Sequence, residues 1–103
     1  MHTIQGNIGT NDDDVVYESH NVDMYGDHVI QVIEGTVTVE ASLDGTNWSV
    51  DLFTQDLQVA TRDTYVATMT GDGKLFRLPG RFRAIRVRQS GATASNARIA
   101  HRE

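Results

Sequence analysis

Residues 36–43 read Thr-Val-Thr-Val-Glu-Ala-Ser-Leu, and this stretch decides the fold class. Polar and apolar side chains alternate along it without interruption. One side carries Val37, Val39, Ala41 and Leu43. Because successive side chains of a β-strand point to opposite faces of its sheet, this period of two predicts a half-buried strand whose valines face the core.

The residues on either side of this strand extend the pattern. After it, Asp44-Gly45-Thr46-Asn47 combines residue types that accept positive φ angles and local side-chain hydrogen bonds, which is typical of a hairpin turn. Before it, residues 27–34 carry apolar side chains on both sides, so we expect that strand to be covered on both faces. Further strands are predicted at residues 17–22, 48–53, 57–61, 65–69, 75–78, 82–89 and 97–101.

Seven or eight strands formed by these segments, without a helical period in the chain, indicate an all-β fold, an antiparallel β-sandwich or jelly roll. A chain of 103 residues is long enough for one such domain and too short for two. Residues 1–14 offer too little apolar surface to offset the entropy of ordering them. We therefore predict a flexible N-terminal arm, residues 1–14, followed by a sandwich domain, residues 15–103.

The amino-acid composition narrows the class of protein further. The chain is 39% hydrophobic and 22% charged, which fits neither a disordered chain nor a membrane-spanning one. The lack of cysteine excludes disulfides, thiol catalysis and cysteine-ligated metals. The first ten residues do not have the basic and apolar regions of a secretory signal. We expect a soluble globular protein that contacts no membrane.

Charge is divided unevenly along the chain. Residues 1–61 contain eleven acidic residues and no lysine or arginine, whereas residues 62–103 contain all nine basic residues and three acidic ones. One explanation is that acidic strands pair with basic strands inside a single fold. The other is that an acidic face of one copy meets a basic face of another copy or of a partner. The sequence leaves both explanations open.

Motifs for catalysis are missing from the sequence. It has no glycine-rich phosphate loop, no Gly-x-Ser-x-Gly elbow and no His-Glu-x-x-His pair. We therefore predict no enzymatic activity and no cofactor. His20 and His28 are eight positions apart and would form a metal pair only if the loop between them folded back, and no third or fourth ligand is evident. We predict no bound metal.

Two oxygen-rich segments and the single tryptophan have structural explanations. Residues 12–14 are consecutive aspartates, whereas a calcium loop needs alternating ligands around a central glycine. The oxygen atoms of Asp44 and Asn47 are explained by turn chemistry. Trp48 shares its parity with the apolar residues of the following predicted strand, and we expect it to anchor the core.

The strand predicted at residues 82–89 carries a cluster of arginines. Ile85 and Val87 define its core side, with Arg83 on that same side, whereas Arg86 and Arg88 project from the other. Their guanidinium groups suit phosphates or carboxylates. The net charge of −5 and the scarcity of aromatic residues near the arginines disfavour nucleic acid, so we predict protein contact or internal pairing.

We predict that partner proteins are contacted by the arginine strand, by acidic strand residues opposite it and by the acidic end of the arm. The predicted contact residues are Arg83, Arg86, Arg88, Glu40, Asp51, Asp12, Asp13 and Asp14.

Residues 37–48 (VTVEASLDGTNW) and 82–88 (FRAIRVR) together resemble small β-sandwich proteins of tailed-phage particles, and they also resemble discoidin-type jelly rolls. The compact size and polar arm are similar to capsid decoration, or cement, proteins. This resemblance implies a virion protein on the outer surface of the capsid, often a trimer, that binds the major capsid protein or another virion protein. It carries over no catalytic residue.

Two alternatives stay open. The discoidin-like similarity implies a carbohydrate-binding module of a tail fibre or cell-surface assembly, which would need Trp48, Tyr65 or Tyr25 exposed along a groove. A contact of the arginine strand with nucleic acid is the third hypothesis, and it would give DNA binding with a steep salt dependence.

Overall fold

The computed structural model describes residues 2–50, 52–58 and 64–103, with residues 2–5 described by their backbone. Within these residues the secondary structure consists of ten short strands. They are β1 (His2–Gln5), β2 (Val15–His20), β3 (Asp27–Glu34), β4 (Thr36–Ser42), β5 (Thr54–Asp56), β6 (Tyr65–Val66), β7 (Met69–Thr70), β8 (Lys74–Pro79), β9 (Ala84–Gln89) and β10 (Asn96–Arg102). This part of the chain contains no helix that is long and apolar enough to cross a bilayer.

The strands form two antiparallel sheets, which confirms the predicted β-sandwich. The larger sheet has the order β1-β10-β3-β8-β5-β6, and the smaller one has the order β2-β9-β4-β7. More strands are present than the seven or eight predicted, because β1 joins the larger sheet and the region 65–69 divides. Its first part, β6, belongs to the larger sheet, whereas β7 belongs to the smaller one.

The hydrophobic core lies between the sheets and is built from the inward sides of their central strands. Its fully buried residues include Val16, Ile30, Val32, Val37, Val39, Met69, Ile85 and Val87. Each contributes about 1.5 to 3 kcal/mol through burial. The valines of β4 therefore face the core as predicted. Leu43, which has the same parity, does not, because β4 ends at Ser42 and the turn leaves Leu43 79% exposed.

Strand β3 departs from the prediction that both its faces are covered. On the inward face His28, Ile30 and Val32 are completely buried. On the other face Val29 and Ile33 are only half-buried. The difference arises because the second sheet covers one side of β3, and the described residues form no third layer over the other.

The turn after β4 forms as the sequence predicts. Gly45 has a φ of +81°, and an isolated antiparallel bridge between Ala41 and Ser49 shows that the chain reverses. The strand predicted at residues 48–53 is not formed by its described residues. Beyond the bridge, the Leu52 amide donates to the Val39 carbonyl, and the next strand begins at Thr54.

The N-terminal segment lies against the sandwich, so the predicted separate arm of residues 1–14 is wrong for residues 2–14. Strand β1 pairs with β10, and Gly9 forms a bridge with Ser95. The close approach depends on glycine at position 6, where a Cβ would lie 2.4 Å from the Val16 carbonyl oxygen. Backbone hydrogen bonds, which the composition does not reveal, offset the entropy cost of ordering this segment.

Candidate interaction surfaces

A row of charged side chains crosses the outer face of the smaller sheet. Arg86 on β9 stands between Glu18 on β2 and Glu40 on β4 in the strand register. Its Nε donates to Glu40 Oε1 at 2.6 Å, and Arg88 Nε donates to the same oxygen at 3.0 Å. Glu18 is more distant, with Oε1 3.8 Å from Arg86 Nη1.

Glu40 is the centre of this row. Its side chain is only 8% exposed, so burial would destabilise the carboxylate without its two guanidinium partners. The acidic first half of the chain and the basic second half therefore meet inside one fold at this point. Of the two explanations for the divided charge, internal pairing holds for Glu40, Arg86 and Arg88.

Trp48 packs on this charged row instead of in the core. The guanidinium carbon of Arg86 lies 4.0 Å from the centroid of the indole, and the ring of His20 meets the indole edge-on at 6.0 Å. A cation over a tryptophan face is attracted by the ring electrons. The prediction that Trp48 anchors the core is wrong, because its indole lies against Arg86 on the outer face of the smaller sheet.

The predicted contact residue Arg83 stands apart from this row. Arg83 is exposed and precedes β9, so it does not share the inward side of Ile85 and Val87. Its carbonyl accepts a hydrogen bond from the Val22 amide. Asp51 lies outside the described residues.

The three consecutive aspartates form a turn that is fixed to the end of β9. Asp12 Oδ1 accepts from the Gly91 amide at 2.8 Å, and the Asp13 carbonyl accepts from Arg88 Nη1 at 2.8 Å. Asp14 Oδ2 accepts from two backbone amides, those of Thr10 and Asn11, which lower the pKa of Asp14. The described residues contain no group of three or more histidines or carboxylates placed to hold a metal ion.

A buried chain of hydrogen bonds joins the two sheets and was not anticipated from the sequence. His28 Nε2 lies 2.9 Å from the Gly80 carbonyl oxygen, His28 Nδ1 lies 2.7 Å from His101 Nδ1, and His101 Nε2 lies 2.6 Å from Tyr17 Oη. A carbonyl only accepts, so His28 Nε2 donates to it. With both rings neutral, His101 Nδ1 then donates to His28, and Tyr17 donates to His101.

Burial controls the protonation of these hydrogen-bonded side chains. Burial lowers the pKa of His28 and raises the pKa of Tyr17, so both side chains are uncharged near neutral pH.

His20, the other histidine of the metal pair considered from the sequence, lies on the outer face with its Nε2 2.9 Å from Glu18 Oε2. The two histidines are therefore on different faces. The even spacing of His28 with Ile30 was the available sign that it faces the core.

An apolar cleft opens at the end of the sandwich that contains the turn after β4. It has a volume of about 470 Å³. Its lining consists of Ala41, Ser42, Leu43, Asp44, Asn47, Ser49, Leu52, Phe53, Leu78 and Phe82. Leu43 and Phe53 are largely exposed at its mouth. We call this region the turn cleft.

Asp44 is the ionisable residue in the lining of the turn cleft. Its Oδ1 accepts from the Thr46 and Asn47 amides, each at 2.8 Å, and from Ser42 Oγ at 2.9 Å. Its Oδ2 accepts from Asn47 Nδ2 at 2.7 Å. These hydrogen bonds lower the pKa of Asp44 far below its ordinary value, so the rim of the cleft carries a fixed negative charge.

A second depression lies on the outer face of the larger sheet. This groove, which we call the arginine groove, has a volume of about 240 Å³. It is lined by Val29, Gln31, Leu75, Arg98, Ile99, Ala100 and Arg102. Beside it Arg77 Nε donates to Asp27 Oδ1 at 2.8 Å. Its lining thus combines an apolar floor with two arginines and no carboxylate.

Comparison with solved structures finds a protein that has a similar fold. No protein-family model and no curated protein matches the sequence. A solved structure, the crystal structure of SPBc2 prophage-derived protein YomS, is similar with a TM-score of 0.73, and the match covers 97% of this chain and 91% of that one. The sequence identity is 7%, so the similarity shows a shared fold.

Proposed function

We propose that this chain is a structural protein of a tailed-phage particle, namely a capsid decoration protein that binds neighbouring shell subunits on the outer surface of the head. The observation that carries the proposal is the match with a prophage-derived protein over nearly the full length of both chains. A prophage is an integrated phage genome, and the resemblance of residues 37–48 and 82–88 to phage-particle sandwiches points the same way. The proposed partner is the major capsid protein.

The surface supports a binding role. Large apolar side chains are exposed at the turn cleft, where Leu43 and Phe53 project, and near the arginine groove, where Leu75 does. Clustered exposed apolar residues on a small protein mark contact sites. In a shell with many copies, individually weak contacts are sufficient, because neighbouring contacts raise the effective concentration of each one.

Internal pairing changes which charges are available to the shell. Glu40 pairs with both Arg86 and Arg88, so we propose that these three residues stabilise the smaller sheet. Arg83 is exposed and is the arginine of the predicted set that we assign to the shell contact. Asp13 is the corresponding exposed acidic residue at the opposite end of β9.

The proposal is tested with heads of the parent phage assembled without this protein. The purified chain should sediment with these heads in a saturable manner and should raise the temperature at which they release DNA. Arg83→Glu should weaken binding by about tenfold, as expected for loss of a charged contact of about 1.4 kcal/mol. Lys74→Glu, which reverses an exposed charge on β8, is the matched control. Absence of sedimentation with the heads would contradict the proposal.

A carbohydrate-binding module of a tail fibre is the second candidate, and the turn cleft favours it. Phe53 and Phe82 provide apolar ring faces there, and Asp44 and Asn47 provide polar groups. The rings named from the sequence fit less well, because Trp48 is stacked against Arg86. A glycan array would reveal this activity, and Phe53→Ala should abolish the signal whereas Tyr65→Ala should not.

A further inference from the structure

The turn cleft presents an apolar side chain directly beside a fixed carboxylate. Leu43 is 79% exposed, and the next residue, Asp44, is held in one conformation by its hydrogen bonds to Ser42, Thr46 and Asn47. Because this turn is already ordered, little conformational entropy is lost when it binds. Asp44 Oδ2 has one hydrogen bond among the described residues, so the carboxylate can accept another.

The arginine groove has the complementary composition. Val29, Leu75 and Ala100 line an apolar floor, and Arg98 and Arg102 stand beside it. Arg102 is exposed at the end of β10, and Leu75 is 38% exposed on β8. A ligand for this groove therefore has an apolar side chain next to an acidic group.

We infer that the Leu43–Asp44 turn of one copy of this chain docks into the arginine groove of a second copy. In this contact Leu43 covers Val29 and Leu75, and the Asp44 carboxylate accepts a hydrogen bond from Arg102. We assign a second copy to the groove because one chain carries both complementary surfaces. The turn offers an apolar side chain beside a carboxylate, and the groove offers an apolar floor beside arginine. The inference rests on the proposed function, in which many copies lie side by side on a shell.

The two surfaces differ, so the contact is heterologous. Each copy uses its turn towards one neighbour and its groove towards another, which produces rings when the rotation closes and open chains when it does not. A symmetric contact of one surface with itself would behave differently in a mixing experiment. That difference provides the test.

The test uses two variants of the full chain that each disable one surface. Leu43→Asp removes the apolar side chain of the turn, and Leu75→Asp places a carboxylate in the groove. Ile8→Asp is the matched control, because Ile8 is also largely exposed and lines neither surface. Arg102→Glu is a second groove variant that alters an exposed side chain, and Arg81→Glu is its control, because Arg81 is also exposed and lines neither surface. Circular dichroism confirms that each variant is folded.

Sedimentation velocity should show the native chain as a species larger than one copy. Leu43→Asp, Leu75→Asp and Arg102→Glu should each weaken association by about tenfold or more, as for central contact residues, whereas the two controls should not. An equimolar mixture of Leu43→Asp and Leu75→Asp should form a one-to-one dimer that grows no further, because one intact turn meets one intact groove. A native chain that stays monomeric, or variants that fail to complement each other, would overturn the inference.

The result is distinguishable from a failure of the proposed function. Monomers that still sediment with phage heads would refute the contact between copies and leave the decoration role intact. Oligomers that do not sediment with the heads would support the contact between copies and refute the decoration role. If Ile8→Asp weakened association as much as the surface variants do, the assignment of the two surfaces would be refuted. If Leu43→Asp abolished glycan binding without changing the oligomeric state, the turn would be assigned to a sugar instead.

Discussion

His28 and His101 meet Nδ1 to Nδ1 at 2.7 Å in the interior of the sandwich, although they are 73 positions apart in the sequence. A hydrogen bond between two ring nitrogens needs one donor and one acceptor, so the two Nδ1 atoms cannot both carry a proton. The Gly80 carbonyl and the Tyr17 hydroxyl complete the chain at either end. The contact joins β3 to β10, and the ring of His28 is neutral in it because burial lowers its pKa.

Acid is therefore expected to destabilise the fold. Burial holds the pKa of His28 below its ordinary value of 6.5, and the Gly80 hydrogen bond and the charge of Asp27 oppose this only partly. A histidine whose pKa is lower in the folded state binds protons more readily when unfolded. Its stabilising contribution is complete above pH 6.5 and is lost as the pH falls through 6.5 towards the folded pKa. Urea unfolding midpoints should fall between about pH 8 and about pH 5.

Variants separate this effect from other titrations. His28→Gln should lower stability at high pH and flatten the pH dependence, because the group that titrates is gone. His20→Gln should keep the native profile, since His20 lies exposed on the outer face. A native profile that is flat across this interval would contradict the account of the buried pair.

The Tyr17 hydroxyl should also contribute to stability. Tyr17→Phe leaves His101 Nε2 without the donor that lies 2.6 Å away, and we expect a loss of about 1 to 2 kcal/mol in the free energy of unfolding. Tyr65→Phe, on an exposed ring, should change stability by less than about 0.5 kcal/mol. Thermal unfolding of the two variants measures the difference, and equal effects would show that the buried hydroxyl is not special.

Glu40 should be far more sensitive than Glu18 to the loss of its charge. Glu40→Gln leaves Arg86 and Arg88 close together without a full counter-charge, and we expect destabilisation of about 2 to 4 kcal/mol. Glu18→Gln removes an exposed partner at 3.8 Å and should cost less than about 1 kcal/mol. Chemical denaturation provides both values. Similar small costs would mean that the charged row contributes little to stability.

The docked N-terminal segment can be tested at a glycine. At Gly6 an added methyl group would lie 2.4 Å from the Val16 carbonyl oxygen and 2.9 Å from that of Ala97, so Gly6→Ala should release the segment from the sheet edge. Gly26→Ala is the matched control, because the nearest atom there is 3.7 Å away. Hydrogen exchange should speed up in β1 and in β10, its neighbour, for the first variant alone. Unchanged protection would favour the free arm predicted from composition.

The sequence predicted the elements whose signal is local. The inward valines of β4 and the Asp-Gly turn depend on neighbouring residues, and both formed as expected. The strand is not half-buried as predicted, because the polar side chains Thr38, Glu40 and Ser42 on its outer side are buried too. Trp48 was mispredicted because its position depends on Arg86, which arrives from a strand far along the chain. The pairing of β1 with β10 uses backbone groups that every sequence has, and the two histidines of the buried pair meet only through the topology of the larger sheet.

For the charged residues too, the sequence showed the local pattern but not which strands become neighbours. Alternation correctly placed Arg86 and Arg88 on the outer face of β9. It could not show that β4 is the adjacent strand, which decides that their partner is Glu40 within the same copy. The apolar turn cleft was also not anticipated, because it collects residues from the turn after β4, from the segment before β5 and from β8.

The most direct measurement is a cryo-microscopy comparison of heads from the parent phage assembled with and without this protein. The account predicts difference density on the outer surface of the shell, with the two-layer shape of a sandwich about 32 × 31 × 23 Å in extent, lying between neighbouring capsid subunits. Heads that are identical in the two maps, or density confined to the tail, would contradict it.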